Sequence, residues 1–389
     1  MENGEGLALL IIAVAGATLP LLARPLRVPP MVAEMLFGIL LAQAGFNRAF
    51  SGAWLPFLAQ FGFLMLMFHA GLEIDFAALR REPAGRLAVY ALAFGLTLGL
   101  AYGAARLLGH GLFLALVLST TSLGLMLPAL RELGISKTPL GQSVLISATL
   151  ADFCTLLGLT GMVLYGAHGF GWRLVGPIPV FVLFGVVLWG VRLAAWWHPH
   201  RAVRFLEGSD PQELGVRAAF ALLFVFVGIS ELVGLEPILG AFLGGCVLSV
   251  VFEDRGLLEE KLAGFAYGFL IPIFFIHVGL EFPLSAFAET GFLVFTGKLL
   301  VAALLVKLIP ALLLRLRGLG WRHCLLAGLL LSARLSLIVA AAAIGVEKGL
   351  LSPRMEPAIL TLALVTASLV PVAFRRLALR WGAAGGGAG

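Results

Sequence analysis

Ser147-Ala-Thr-Leu-Ala-Asp152-Phe-Cys-Thr-Leu-Leu-Gly158 sets one carboxylate near the centre of an apolar run, Leu140 to Tyr165, that is long enough to cross a bilayer. Inserting a charged side chain at that depth costs about 3 kcal/mol or more, so such residues mark ion pathways, proton relays or buried pairs. Asp152 therefore takes up a proton, binds a cation, or pairs with a buried base. The rest of the chain decides among these.

Hydrophobic residues make up 60% of the chain and charged residues 12%, far from the mixture found in soluble domains. A mean hydropathy of +1.03 makes this an integral membrane protein. The chain is basic, with a pI of about 9.6. Its Lys and Arg nevertheless gather in loops between apolar spans, which is the pattern of membrane topology and not of nucleic-acid recognition. Cys154, Cys246 and Cys324 all lie inside apolar spans without disulfide or metal-ligand spacing, and are read as small packing residues. Glu2 and Glu5 precede the first apolar run, and Arg24 and Arg27 follow it. That charge order is the reverse of a cleavable signal and puts the N-terminus outside.

At about 20 residues per span, thirteen spans are predicted: 6–24, 31–46, 53–71, 84–107, 111–132, 139–166, 174–197, 214–233, 236–252, 262–281, 290–315, 322–346 and 355–377. The fold class is thus an all-α membrane protein with its termini on opposite sides. Arg27, Arg80, Arg81, Arg131, Lys137, Arg201, Arg204, Arg315, Arg317 and Arg375 are among the many basic residues on the side of the C-terminus. Arg48, Arg106, Arg173, Lys348 and Arg354 fall on the other. The positive-inside rule then makes the C-terminus cytoplasmic. Trp54, Trp172, Trp196, Trp197, Trp321 and Trp381 fall at or just beyond span ends, as interfacial anchors do.

The chain repeats itself. Pro30-Met-Val-Ala-Glu-Met-Leu-Phe-Gly38 aligns with Pro237-Ile-Leu-Gly-Ala-Phe-Leu-Gly-Gly245, and Phe68-His-Ala-Gly-Leu-Glu73 with Ile276-His-Val-Gly-Leu-Glu281. Leu118-Ser-Thr-Thr-Ser122 matches Leu331-Ser-Ala-Arg-Leu335 at a similar offset, close to 210 residues or seven spans. An odd number of spans reverses direction, so the expectation is two inverted six-helix repeats, 1–173 and 214–377. A linker helix and cytoplasmic loop, 174–213, would join them, and a disordered tail, 378–389, would follow, with no nucleotide-binding domain.

Inverted repeats in transporters place the substrate near the midplane, on interrupted helices. Span 111–132 carries Ser119, Thr120, Thr121 and Ser122, then Gly124 and Pro128. Span 322–346 carries Ser332, Arg334 and Ser336 at corresponding depth. These two are expected to break and cross beside the ion-site helix, 139–166, bringing half-helix ends to Asp152. Lys307 lies well inside span 290–315.

Taken together, these motifs resemble those of the monovalent cation:proton antiporters, specifically the second large bacterial family, with its NapA-type Na⁺/H⁺ exchangers and Kef-type K⁺ efflux systems. The resemblance covers nearly the whole chain. It is carried by Arg27-Val-Pro-Pro and the following Gly-Ile-Leu-Leu, by Phe68 to Asp75, by Gly240-Ala-Phe-Leu-Gly-Gly245 and by Phe274 to Leu280. It implies the NhaA/NapA-like antiporter fold, a homodimer in the lipid bilayer of a bacterial-type inner (plasma) membrane, and no cofactor beyond the transported ions. By the same resemblance Asp152 is the aspartate that holds cation and proton in turn. Ala151 stands where electrogenic members have a second aspartate, and Lys307 resembles the lysine that pairs with it. Arg334 matches a family arginine, but Leu335 and Ser336 replace the usual Gly and Glu.

Alkali cations are hard ions that prefer oxygen, so Asp152, Thr120, Thr121, Ser122 and freed carbonyls are the candidate ligands for Na⁺ or K⁺. Lys307 either tethers helices or cycles its own proton. Arg334 stays charged and balances the negative end of a half-helix. Glu34 is read as a carboxylate near a cytoplasmic mouth, and His69 and His277 as packing residues or pH sensors at equivalent places in the two repeats. One central carboxylate implies one cation per proton and electroneutral exchange. The rival readings are a Na⁺-coupled organic-solute symporter on the same fold, and a cation channel or regulatory pore. An intramembrane enzyme is excluded, since no second aspartate for an aspartyl protease lies inside any span.

Overall fold

The structure, a computed structural model, describes residues 5–26, 28–45, 52–74, 76, 82–168, 182, 185, 186, 189, 190, 213–251 and 256–383. The linker helix predicted over 174–197 falls outside the described residues but for isolated positions, as do the loop 198–212 and residues 384–389. So do Arg27, Arg48, Asp75, Arg80, Arg81, Arg173, Arg201, Arg204, Trp172, Trp196 and Trp197.

Every described element is helical. In chain order they are α1 (Glu5–Leu26), α2 (Pro30–Gln43), α3 (Trp54–Leu72), α4 (Ala84–Leu107), α5 (Leu112–Ser119), α6 (Leu123–Glu132) and α7 (Pro139–His168). There follow α8 (Leu214–Leu232), α9 (Pro237–Val251), α10 (Gly256–Phe265) and α11 (Ile271–Leu280), the last two joined by a π-helical turn, Ala266–Leu270. The chain then forms α12 (Phe292–Ala311), a 3-10 turn (Leu312–Arg317), α13 (Trp321–Leu331), α14 (Ser336–Glu347) and α15 (Met355–Arg380). Taken as continuous segments, nine among the described residues are long and apolar enough to cross a membrane, or ten if α13 and α14, bent by 45° at their junction, are one span. The helices α2 and α9 are apolar but shorter.

These helices form two compact units, each drawn from two stretches of chain: Met1–Phe76 with Phe170–Phe282, and Ala77–Gly169 with Pro283–Gly389. Compactness therefore does not follow the chain-order division at 173 and 214.

The first unit is built on glycine crossings. At Gly38 of α2 a Cβ would lie 2.1 Å from the Ile276 carbonyl of α11, and at Gly279 one would lie 2.1 Å from the Met35 carbonyl. At Gly71 of α3 a Cβ would meet the Phe242 carbonyl at 2.1 Å, and at Gly245 of α9 the Phe68 carbonyl at 2.0 Å. Side chains are excluded at both crossings, so backbone packs on backbone, the close approach that small residues permit between membrane helices.

The second unit buries an apolar cluster that includes Tyr90, Met126, Leu130, Val144, Leu330 and Phe374. Ala378 belongs to the same cluster, and α15 runs on to Arg380. The disordered tail expected from 378 is thus corrected: 378–380 are helical because Ala378 packs in the core beside Phe374.

Filling a crossing should destabilise the first unit. Gly38→Val or Gly245→Val is expected to cost about 2–3 kcal/mol of stability, read as a lower melting temperature in detergent. Gly264→Ala, with nothing within 4 Å of its Cβ, should not lower it.

Candidate cation site

Two interruptions in the second unit create the site. The first lies between α5 and α6 at residues 120–122, where Thr120 and Ser122 have extended backbone (ψ 157° and 100°). Hydroxyls there bond back onto α5: Ser119 donates to Ala115 O at 2.8 Å and Thr120 to Val117 O at 2.7 Å. Pro128, expected to disrupt the helix, sits inside α6. The break falls at the Ser/Thr cluster because its side chains can replace backbone partners in an apolar medium. The second interruption lies at residues 332–335, between α13 and α14. The two touch: Ser122 Oγ is 3.5 Å from Ser336 Oγ.

Asp152 stands at the first break, buried midway along α7. The Thr121 hydroxyl donates to its Oδ1, and the backbone N–H groups of Thr121 and Leu123 face it. The carboxylate is therefore held at the N-terminal end of α6, where free N–H groups and the helix dipole favour an anion. Thr121 Oγ1 also lies 3.3 Å from Ala148 O, so carboxylate, hydroxyl and carbonyl oxygens share one small region.

The opposite end of the break holds cations. The Lys307 ammonium donates to Ser119 O at 2.6 Å. Arg334 donates from Nη1 to Leu118 O at 2.8 Å, from Nη2 to Ala303 O at 3.0 Å and from Nε to Ser332 O at 3.3 Å. Both side chains are buried, Arg334 completely. Basic groups thus neutralise the C-terminal end of α5, the negative pole of a half-helix. Charge is sorted across three residues of extended chain, with the acid at the helix start and the bases at the helix end.

The sequence-derived residues divide accordingly. Asp152 and Thr121 are in direct contact, and Lys307 and Arg334 lie across the break. Lys307 is close enough to Asp152 for their charges to attract, yet neither base is within 4 Å ion-pair distance of the carboxylate. Thr120 turns its hydroxyl back onto its own helix, and Ser122 faces Ser336. Glu34, His69 and His277 belong to the first unit. Glu34 is buried with Oε2 unpartnered. His69 is also buried, its ring 5.4 Å from that of Tyr267. His277 Nε2 lies 3.5 Å from the exposed Glu281 carboxylate. Among the described residues no group of three or more His, Cys, Asp or Glu could hold a metal ion.

Sequence reading passed over the backbone carbonyls of Leu118, Ser119 and Ala303 that receive the buried bases, since any residue supplies a carbonyl. It also gave no role to Tyr90 and Thr97 of α4, which line a small space beside Lys307. Their seven-residue separation, which puts both on one helix face, was an available signal.

A buried carboxylate among oxygen donors, at an interrupted helix in a multi-span protein, is the kind of site that membrane transporters of small cations use. The family model described as sodium/hydrogen exchanger, transmembrane, matches residues 9–380. The chain is 33% identical to the putative Na⁺/H⁺ antiporter YjbQ of Bacillus subtilis, covering 97% of this chain and 64% of that protein. It is 29% identical to the probable Na⁺/H⁺ antiporter 3 of Methanocaldococcus jannaschii, with 92% of each covered. With K⁺/H⁺ antiporter 1 of Saccharomyces cerevisiae it shares 24% identity over 88% of this chain and 42% of that protein. The chain belongs to the sodium/hydrogen exchanger family, whose members are transporters and not enzymes.

Arg334→Lys replaces a planar fork by a point donor that cannot serve three carbonyls at once. It is expected to cost about 3 kcal/mol, measured as a lower melting temperature of the purified protein in detergent.

Proposed function

We propose that the chain carries out secondary active antiport of Na⁺ or K⁺ against H⁺ by alternating access, with Asp152 held in turn by the proton and by the cation. The observation that carries this reading is the state of Asp152. It is buried, donated to by Thr121 and backbone N–H groups, and, among the described residues, joined to no base by a direct ion pair. A carboxylate locked to Lys307 would have to lose that partner before a cation could enter. Here hydrogen bonds orient the group and leave its charge for an exchangeable ion. The antiporter names of the relatives point to the same exchange, and their division between Na⁺ and K⁺ leaves both ions as candidates.

Further features of the reading are thirteen spans, an N-terminus outside, a cytoplasmic C-terminus, a homodimer and electroneutral exchange. Support for the inverted repeat comes from the glycine crossings. Gly38 aligns with Gly245 and Gly71 with Gly279, and the contacts Gly38–Gly279 and Gly245–Gly71 exchange under that alignment. Support for electroneutrality comes from Ala151, a methyl group where a second carboxylate would be needed to carry another charge.

In proteoliposomes with an imposed proton gradient, Li⁺, Na⁺, K⁺ and Rb⁺ compared side by side should give cation-dependent collapse of ΔpH for Na⁺ or K⁺. Asp152→Asn should abolish it, and Thr121→Ala should lower the rate by about tenfold, the loss of one hydrogen bond to a charged group. Collapse retained in Asp152→Asn would reject the site. A dependence of exchange on membrane potential would reject electroneutrality.

A further inference from the structure

We propose that the groove between α4 and α12 binds one anionic phospholipid, with an acyl chain along the groove and the phosphate on Lys298. Both helices belong to the second unit. The groove holds about 780 Å³, within the range of about 300–1,000 Å³ that single small molecules occupy.

Its shape follows from the spacing of its lining residues. From α12 come Gly297, Val301, Leu305 and Ile309, and from α4 come Gly99, Gly103 and Leu107. Residues four apart share one face of a helix, so each helix lays a row along the groove. The α12 row covers about 18 Å, close to the roughly 15 Å depth of one leaflet. At Gly99, Gly103 and Gly297 a Cβ would meet nothing within 4 Å. Glycines in the first unit remove side chains where backbones touch, whereas these three remove them where no described atom takes their place. An apolar chain seated there restores the dispersion contacts that the missing side chains forgo.

Lys298 supplies the charge. It lines the end of the groove nearer the start of α12. The continuous span Phe292–Arg317 has 26 residues, about 39 Å at 1.5 Å per residue, against a hydrocarbon thickness of about 30 Å. Centred in the bilayer, the span puts the Lys298 backbone roughly 5 Å below the hydrocarbon surface. Helical side chains tilt towards the N-terminus, and a lysine stem carries its ammonium to the headgroup layer. The residue is exposed, and among the described residues its ammonium makes no hydrogen bond or ion pair. A phospholipid brings phosphate and apolar chain in the order the groove presents them, charge at the membrane face and apolar surface inward. The ammonium of a zwitterionic lipid offsets its phosphate, so Lys298 favours a headgroup with net negative charge by about fivefold.

The test reads binding without a proton gradient, so its outcome is independent of the antiport reading. Full-length protein in detergent is titrated with dioleoylphosphatidylglycerol or dioleoylphosphatidylcholine, and bound lipids are counted by native mass spectrometry. The wild type should bind phosphatidylglycerol about fivefold more tightly. Lys298→Gln should erase that preference and Lys298→Arg should keep it. Gly99→Leu with Gly103→Leu fills the groove and should leave one lipid fewer per chain, whichever lipid is offered. Equal affinity of the wild type for the two lipids, or a preference retained in Lys298→Gln, would overturn the site. So would an unchanged lipid count in the glycine variant. Dissociation of a dimer in that variant would assign the groove to a second copy, and would equally overturn it. Lys298→Gln changes an exposed side chain, so the test stands even where the glycine variant fails to fold.

Discussion

In a bilayer core, water is not there to serve a stray N–H or C=O, so every backbone group must find its partner within the protein. The second unit breaks two helices under that constraint and turns the resulting orphan groups into a charge-sorting device. The N–H end of α6 receives Asp152, while the carbonyl end of α5 receives Lys307 and Arg334. Neither break could persist with apolar side chains alone. Ser119 and Thr120 return protons to carbonyls of the preceding turn, and Arg334 spreads one guanidinium over three carbonyls from different segments.

The two units use different means of cohesion. In the first, glycines remove side chains where helices cross, and the contact is backbone on backbone. Such a crossing is insensitive to charge and depends on dispersion over a close approach. In the second, buried hydroxyls and charged groups also join segments by directed hydrogen bonds.

Several polar residues singled out in the sequence have partners or surroundings other than the carboxylate of Asp152. Thr120 and Ser122 flank Thr121 at a helix break, yet extended backbone turns their three hydroxyls in different directions, and only Thr121 reaches the carboxylate. Glu34 and His69 are buried within the first unit. A helical wheel could not have separated these cases, because the residues at a break no longer follow the helical period.

The sequence by itself determined the membrane class, most helix positions, the place of Asp152 midway along a long apolar helix and the spans in which two helices would be interrupted. Those follow from hydropathy over about 20 residues and from Ser/Thr clusters inside apolar runs, both of which are local. Tertiary structure alone decided that Lys307 bonds to the Ser119 carbonyl and forms no direct ion pair with Asp152, and that Arg334 bridges carbonyls from three segments. It also decided that Ala151, Ser147 and Lys307 border one small cavity. These outcomes depend on which carbonyls are left without a helical donor and on how side chains from distant spans divide the space around them. That competition is settled only when the spans pack.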